Sequence, residues 1–552
     1  MFVNLGSDHP ALVEALADAK ITGRPVPRVI TCPNEMVALS AAQGFAQITG
    51  RAQAVLVHVD CGTQNMAGAI HNVSRCRTPV LILSGASPVT QEGELKGGRN
   101  EFIHWLQDVF DQRGIVRGYM KYENELRTGR NMKQMVFRAL QAAHSDPQGP
   151  TYLMAVREVL EEEVPEHTAN LQHFSPIAPG GLSPENALEI ARALNKAKRP
   201  VVVTSYLGRN RAAVGDLVRL VERLGIGVLE SSMNFLNFPA NHELYQGSYG
   251  NEDRQDPALG GADVVLVLDS DVPWIPLKNK PAADATVYHI DIDPIKERMP
   301  MFYIPARQVL RADSGVALRQ ILAAVEQLGV DTKAAQERTA HYRAQHEERR
   351  AALAAKEKPA DAVITVEYLM SRLREKLGPD AVMLSESITN YSLVNDHMMR
   401  SQPGTLFTSG ASSLGWHGGA AVGMKLAHPE KTIVAITGDG SFMFSLPSTV
   451  HWMARRYETP FLEVVLNNGG WRAPRFSAIG VYPHGHASKS SSDLNIAFDP
   501  APDYAAIATA AGGAFGLRVE NPTDIDAAID KALHAINVEK RCAVLDVKLA
   551  HL

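Results

Sequence analysis

The sequence predicts an α/β fold: three doubly wound parallel-sheet domains in one chain. Three observations carry that prediction. Short apolar runs bounded by Gly and Pro recur along the chain, as buried parallel strands should. Ala-rich or amphipathic stretches with helical spacing separate them. The alternation falls into three blocks, and 552 residues exceed the size at which one hydrophobic core stops growing, about 250–300 residues.

The first block spans residues 1–165. Its clearest strands are AVLVHVD (Ala54–Asp60) and PVLILSG (Pro79–Gly85), preceded by an Ala-rich helix over Met36–Thr49. Met1 stands almost directly on the first strand, which suggests a shortened or truncated start. The second block, residues 180–330, repeats the rhythm with PVVVTSY (Pro200–Tyr206), ADVVLVLDSD (Ala262–Asp271) and TVYHIDID (Thr286–Asp293). Residues 331–360 are rich in Lys, Glu, Arg and Ala and read as a charged connecting helix or linker. The third block, residues 361–552, alternates again, with KTIVAIT (Lys431–Thr437) and PFLEVVL (Pro460–Leu466) as its clearest strands.

Composition narrows the function classes. The apolar fraction is 45%, the charged fraction 21% and the net charge −5, all ordinary for a globular protein. No basic stripe or tail appears, which argues against nucleic acid or a membrane surface as partner. There is no run of about 18 apolar residues and no signal-peptide pattern. The four cysteines, Cys32, Cys61, Cys76 and Cys542, show neither CxxC pairing nor metal spacing, as expected in a reducing cytoplasm.

The chemistry concentrates at two strand ends in the third block. KTIVAIT runs into Gly438-Asp439-Gly440-Ser441, and PFLEVVL runs into Asn467-Asn468-Gly469-Gly470, with one helix expected between them. Open α/β sheets bind ligands at the carboxyl ends of their strands. Glycines let backbone amides approach a phosphate closely. An Asp, an Asn side-chain oxygen and a backbone carbonyl suit magnesium, which keeps its other positions for phosphate oxygens and water. A lone GDG also fits an ordinary turn; the two clusters together favour a ligand.

This pairing resembles the diphosphate-binding motif of thiamine-diphosphate enzymes. The resemblance covers essentially the whole chain and makes the three blocks pyrimidine-binding, central and diphosphate-binding domains. It implies that Asp439, Asn468 and the carbonyl of Gly470 ligate Mg2+ while Gly438, Gly440 and Ser441 line the diphosphate. Asp439 and Asn468 lie 29 positions apart, slightly more than in the family, and the connection around residues 455–459 would absorb the difference. Upstream, the segment from Thr408 to Gly423 (TSGASSLGWHGGAAVG) is similar to the family's glycine-rich segment. Leu414 then falls where a large apolar residue wedges beneath the cofactor and keeps its two rings in a bent V. Main-chain groups at Ser412 and Leu414 would bond the aminopyrimidine. Glu386-Ser-Ile-Thr-Asn390 resembles the loop that touches the diphosphate and contributes Thr389 and Asn390.

The first block carries the complementary half. Glu35-Met-Val-Ala-Leu-Ser-Ala-Ala-Gln-Gly-Phe-Ala46 resembles the family's segment that opens on Glu. The resemblance makes Glu35 the partly buried acid at N1′ of the aminopyrimidine. Asn4-Leu-Gly-Ser7 and His58-Val-Asp-Cys-Gly-Thr-Gln-Asn65 look like the benzoylformate-decarboxylase branch, where a Ser and a His bind the substrate carboxylate and relay protons. Carried over, these are Ser7 and His58; a His at a strand end suits proton transfer near neutral pH. Asp60 and Cys61 depart from that branch, which bears on the substrate rather than the cofactor.

Other motifs carry less. The central block has no G-x-G-x-x-G after a strand, and its SYLGRN (Ser205–Asn210) reads as a structural turn. His484 and His486 lack acidic or Cys partners for a metal but lie where relatives fold a segment over the active site. The expected activity is a thiamine-diphosphate- and Mg2+-dependent 2-oxo acid decarboxylase or carboligase taking a small 2-oxo acid or hydroxy-carbonyl substrate. An acetolactate-synthase-type transferase and a flavin-linked 2-oxo acid oxidase are the alternatives. In the family the two half-sites meet across a subunit interface, so the resemblance implies a homodimer or homotetramer.

Overall fold

The computed structural model describes residues 1–165, 168–360, 362–490 and 494–550; the expected boundary at 361 and the terminus at 552 fall outside them. Three six-stranded sheets, all parallel, follow one another. The first holds β1 (Phe2–Val3), β2 (Ile30–Thr31), β3 (Gln53–Val57), β4 (Val80–Ala86), β5 (Tyr122–Leu126) and β6 (Pro150–Val156), in the order β2-β1-β3-β4-β6-β5. The second holds β7 (Pro200–Thr204), β8 (Gly227–Ser231), β9 (Tyr245–Tyr249), β10 (Val264–Leu268), β11 (Thr286–Asp291) and β12 (Gln308–Arg311), in the order β12-β11-β10-β7-β8-β9. The third holds β13 (Val382–Glu386), β14 (Leu406–Thr408), β15 (Ile433–Gly438), β16 (Leu462–Asn467), β17 (Phe515–Val519) and β18 (Ala543–Lys548), in the order β14-β13-β15-β16-β18-β17.

The apolar runs seen in the sequence are the central strands. VVLVL of β10 and LEVVLN of β16 are buried along their whole length, as strands covered on both faces must be. The first and third sheets share one topology: β2, β1 and β3 correspond to β14, β13 and β15. Equivalent helices follow β2 and β14, namely Glu35–Thr49 and Trp416–Ala427, and they pack on each other. Small residues permit the contact. A Cβ added to Gly423 would sit 1.9 Å from the carbonyl oxygen of Ala41, and one added to Gly44 would sit 2.3 Å from that of Ala420.

Two expectations are refined. Between Asp439 and Asn468 there are two helices, Asp439–Phe444 and Pro447–Arg456, rather than one. Leu446 adopts φ 56°, and Pro447 has no amide to continue the first helix. Residues Thr332–Lys356 form one helix that is part of the central module: Arg338 is buried and donates to the carbonyls of Leu224 and Ala197, and Tyr342 donates to that of Pro200. In the central sheet the strand order reverses between β10 and β7, where such folds leave a ligand crevice. Here the chain's own charged side chains line it, beside a cavity of about 310 Å³ that Arg77, Asp271, Asp293 and Lys296 border. Arg77, from the first module, makes two hydrogen bonds to Asp271 at 3.0 and 2.7 Å and lies over the Tyr206 ring, and Lys296 reaches Asp291 at 2.5 Å. The Ser205–Asn210 segment is a buried turn whose Gly208 amide donates to Asn237. Among the described residues no helix is long and apolar enough to cross a membrane.

Candidate active site

Four loops converge at the carboxyl edge of the third sheet, because β14, β13, β15 and β16 are neighbours in that order. The Asp439 carboxylate joins two of them. Its Oδ1 accepts the Gly440 amide at 2.8 Å, and its Oδ2 accepts the amides of Gly469 and Gly470 at 2.8 and 2.9 Å. Burial raises the Asp439 pKa even though these amides act to lower it. The turn after β16 requires glycine, since Gly469 and Gly470 have φ of 84° and 150°. Asn467 is engaged by the fold, donating to Asp546 at 2.8 Å. The buried Oδ1 of Asn468, by contrast, has no partner among the described residues. Native structures seldom leave a buried amide oxygen unpaired, and beside a buried carboxylate it fits the donor set of a hard cation. A Cβ on Gly438 would meet nothing within 4 Å, so open space borders the cluster. Ser441 is buried, and Thr389 and Asn390 lie in a short turn directly after β13.

The loop after β14 supplies Ser412 and Leu414. Ser412 is exposed with φ 58°, and its amide is engaged by Ser409 Oγ at 2.9 Å. Leu414 is half-buried. The intervening Ser413 is held by Asn72 of the first module, which accepts its amide at 3.0 Å and donates to its carbonyl at 2.8 Å. Gln43 and Gln47 donate to the carbonyls of Ser409 and Thr408, each at 3.0 Å. Three amide side chains of the first module thus fix the loop of the third.

At the carboxyl edge of the first sheet, Glu35 opens its helix after Asn34, whose side chain caps the amides of Met36 and Val37. Glu35 is 8% exposed, and Asn65 donates to its Oε2 at 2.5 Å. A Cβ on Gly62 would come within 3.1 Å of Glu35 Oε1, so the close approach of these two segments favours glycine there.

His58 is half-buried, with both ring nitrogens occupied: Nδ1 lies 2.6 Å from Asp8 Oδ1, and Nε2 lies 2.9 Å from Gln107 Oε1. The Asp8 bond raises the His58 pKa, against its partial burial. Burial alone would raise the Asp8 carboxyl, but hydrogen bonds with His58 and His9 hold it well below the usual carboxylate range. Glycines make this pair fit. A Cβ on Gly6 would fall 2.1 Å from His58 Nδ1, and one on Gly85 would fall 1.8 Å from Asp8 Oδ2. Ser7 Oγ faces Nε2 of the buried His104 at 3.4 Å, and Arg157 approaches the same nitrogen at 3.3 Å. Burial and Arg157 lower the His104 pKa.

The structure therefore brings Ser7 and His58 to one edge and gathers Asp439, Asn468, Gly470, Thr389 and Asn390 at another. Glu35 and the Leu414 loop are linked through the packed helices: a Cβ on Gly415 would come 2.7 Å from the Met36 methyl. Among the described residues no hydrogen bond joins the Ser7–His58 edge to the 438–470 cluster. His484 is exposed and His486 opens a short helical turn; among the described residues there is no group of three or more His, Cys, Asp or Glu side chains able to hold a metal. Sequence reasoning missed Asp8, Asn65, Asn72, His104 and Gln107. Asp8 carried a signal, as a carboxylate next to Ser7 in the loop after β1, beside the strand that ends at His58.

A three-module α/β enzyme with its polar clusters at the carboxyl edges of two like-folded sheets is the class that this architecture defines. Residues 1–115 match the thiamine pyrophosphate enzyme N-terminal TPP binding domain, residues 188–320 the central domain and residues 387–547 the C-terminal TPP binding domain. The chain belongs to the thiamine pyrophosphate enzyme family, whose cofactor is thiamine diphosphate. It is 25% identical to benzoylformate decarboxylase of Pseudomonas aeruginosa over 468 residues, covering 82% of this chain and 81% of the relative. It is also 25% identical to acetolactate synthase isozyme 3 large subunit of Escherichia coli over 533 residues, covering 93% and 86%. The fold matches the thiamine diphosphate-dependent 4-hydroxybenzoylformate decarboxylase of Rhodococcus jostii with a TM-score of 0.78 at 21% identity, covering 100% and 96% of the two chains.

Proposed function

We propose that this enzyme is a magnesium-dependent 2-oxo acid decarboxylase whose product-forming step is a protonation delivered by His58. The observation that carries the reading is the Asp8–His58–Gln107 chain at the edge that also presents Ser7. A carboxylate bonded to Nδ1 favours the protonated imidazole, the form that can donate a proton to substrate. Addition of an acceptor aldehyde or ketone in place of the proton is the carboligase side of the same reading. The absence of a G-x-G-x-x-G after a strand of the central block weighs against a flavin-linked oxidase.

Asp439, the unpaired Oδ1 of Asn468 and the Gly470 carbonyl would hold Mg2+, and Gly438, Gly440, Ser441, Thr389 and Asn390 would line the diphosphate. Thiamine diphosphate, when bound, supplies the electron sink for the bond that breaks beside the carbonyl. Glu35 holds a proton at N1′ of the aminopyrimidine, with Asn65 fixing its carboxylate. Leu414 would support the cofactor. Ser7 donates its hydroxyl to the substrate carboxylate, with His104 and Arg157 behind it. His58 gives its Nε2 proton to the substrate-derived carbon, and Gln107 can follow by turning its amide, so that it pairs with either protonation state.

Large apolar side chains remain exposed at both edges: Phe102, Trp105, Leu106 and Phe110 beside His104 and Gln107, and Phe444 and Trp471 beside Gly440 and Gly470. Such patches mark interaction surfaces. They support a homodimer or homotetramer in which a second copy covers the edges and excludes water. Four free cysteines suit a reducing cytoplasm. The test is carbon dioxide release from a panel of 2-oxo acids, including benzoylformate and pyruvate, by protein loaded with thiamine diphosphate and Mg2+. Aldehyde as product supports the reading; acetolactate from pyruvate with no free aldehyde overturns it in favour of a synthase.

A further inference from the structure

The third module contains a run of four buried ionisable side chains that no step above uses. Glu386 ends β13, and its two oxygens grip the start of the Trp416–Ala427 helix. Oε1 accepts the Gly415 amide at 2.6 Å, and Oε2 accepts the His417 amide at 2.8 Å and faces His417 Nδ1 at 2.7 Å. His417 Nε2 reaches Glu463 Oε1 of β16 at 2.6 Å, and Glu463 Oε2 faces His451 Nε2 at 3.1 Å. The Thr437 hydroxyl, one residue before Gly438, lies 3.2 Å from His417 Nδ1. All four side chains are essentially shut off from solvent, at 0 or 1% exposure. Burial alone would lower His417, yet carboxylates at both ring nitrogens push it up to about 9. Carboxylate oxygens 2.7 and 2.6 Å from its two ring nitrogens suit an imidazolium with both N–H groups donating.

The places these bonds join are specific. Gly415 follows Leu414 directly, Glu386 precedes the Thr389–Asn390 turn, Thr437 precedes Gly438, and Glu463 lies on the strand that ends at Asn467 and Asn468. A buried ion pair is weak evidence for added stability, because desolvation offsets most of the attraction. Its stronger effect is to fix geometry, since each partner left alone would be a buried unpaired charge. Gly415 itself has no room to drift: its φ is 93°, and an added Cβ would lie 2.4 Å from the Phe444 carbonyl oxygen.

We propose that Glu386, His417 and Glu463 are positioning residues that lock the Leu414 loop to the diphosphate-binding ends of β13, β15 and β16. This rests on the reading that Leu414 supports the cofactor. Cutting the chain removes no ligand of Mg2+ or diphosphate; it lets residues 412–415 move relative to them.

The test uses Glu386→Gln, His417→Gln and Glu463→Gln in the full chain. The first readout is amide hydrogen exchange of residues 409–418 in the apoprotein, which needs no cofactor. The second is the thiazolium C2 proton exchange rate and the near-ultraviolet circular dichroism of bound thiamine diphosphate, set beside its affinity by calorimetry. Folded Glu386→Gln and His417→Gln should speed amide exchange at 415–417 and slow C2 exchange by about 10- to 100-fold, the scale on which misplaced reacting groups lose rate. Affinity should change by much less, and Glu463→Gln, which touches the His417 ring but neither backbone amide that Glu386 holds, should fall between wild type and these two. If His417→Gln fails to fold, the two Glu variants decide the matter. Unchanged amide exchange with unchanged C2 exchange in folded variants overturns the proposal. Wild-type protein that takes up no thiamine diphosphate would sink the functional reading instead, while apoprotein amide exchange would still decide the lock.

Discussion

The Asp8 carboxylate and the His58 imidazole are 2.6 Å apart, on loops from neighbouring strands, and each shifts the other's pKa in the direction that favours an ion pair. Asp8 also accepts the Val59 amide at 3.1 Å, so the same side chain seats the turn on which His58 stands.

Removing the charge should therefore be visible in the pH profile. Asp8→Asn lowers the His58 pKa, because the anion that stabilised the imidazolium is gone. If His58 acts as the acid, the alkaline limb of kcat moves to lower pH in Asp8→Asn. The variant should also lose about 1.5–3 kcal/mol of stability, the usual worth of a hydrogen bond to a charged group. Urea unfolding and a kcat profile on the same preparation check both. An alkaline limb that stays in place would detach His58 from the step.

At the other edge, Asp439→Ala takes one hard oxygen from the proposed Mg2+ site and also frees the amides of Gly440, Gly469 and Gly470. Retention of thiamine diphosphate should be lost while the far-ultraviolet spectrum is kept. Asn468→Ala should be milder in the apoprotein, because its Oδ1 bonds nothing there, yet still weaken metal uptake. Calorimetry with Mg2+ and thiamine diphosphate reads the difference. Wild-type affinity in Asp439→Ala would mean the metal sits elsewhere.

These two sites differ in how much of them was legible in sequence. Strand ends are set by local pattern, so the placing of the Gly438–Ser441 and Asn467–Gly470 clusters at strand ends is legible in the sequence. The three sheets follow from the same apolar runs. What local pattern does not encode is which loops face each other. Gln107 and His104 lie on a segment distant from His58 and Ser7 in sequence, and Asn72 meets Ser413 across two modules. Glu386 looked like part of a phosphate loop, but its side chain points inward to His417. The single helix expected before Asn468 became two because a left-handed Leu446 precedes Pro447, a turn with no Gly or Asn to announce it.

The buried imidazolium gives stability a defined pH dependence. His417 is raised from 6.5 to about 9 by Glu386 and Glu463 despite its burial. A raised pKa adds stability that is full below 6.5 and lost as pH climbs through 9, on the order of 3 kcal/mol for a shift of this size. Glu463 is held down to about 2 by His417 and His451 against its burial, so its share is present above pH 4.5 and disappears only toward pH 2. The thermal midpoint should therefore fall between pH 6.5 and 9. His417→Gln should flatten that slope without abolishing it, because His451 is also raised to about 9, by Cys542 and Glu463 against its burial. Scanning calorimetry at fixed ionic strength measures it; an equal slope in the variant removes His417 from the account.

Glu35 and His58 are assigned different moments of the reaction, and one cofactor proton can tell them apart. On the proposed reading Glu35 would act before substrate arrives, by holding the proton at N1′ of the aminopyrimidine; Asn65 donates to its carboxylate at 2.5 Å. Gln in its place keeps the size and a donor but has no proton to exchange. Glu35→Gln should slow exchange of the thiazolium C2 proton by about 100-fold or more, within the range of general acid–base groups. His58 would act later, on the substrate-derived carbon, with Asp8 and Gln107 at its two ring nitrogens. His58→Ala should leave C2 exchange within about threefold of wild type while lowering turnover by about 100- to 10,000-fold. Nuclear magnetic resonance of acid-quenched samples in deuterium oxide reads the exchange without any substrate, so the first half can be done before a substrate is found. The division of labour fails if His58→Ala slows C2 exchange as much as Glu35→Gln does, or if Glu35→Gln leaves it untouched.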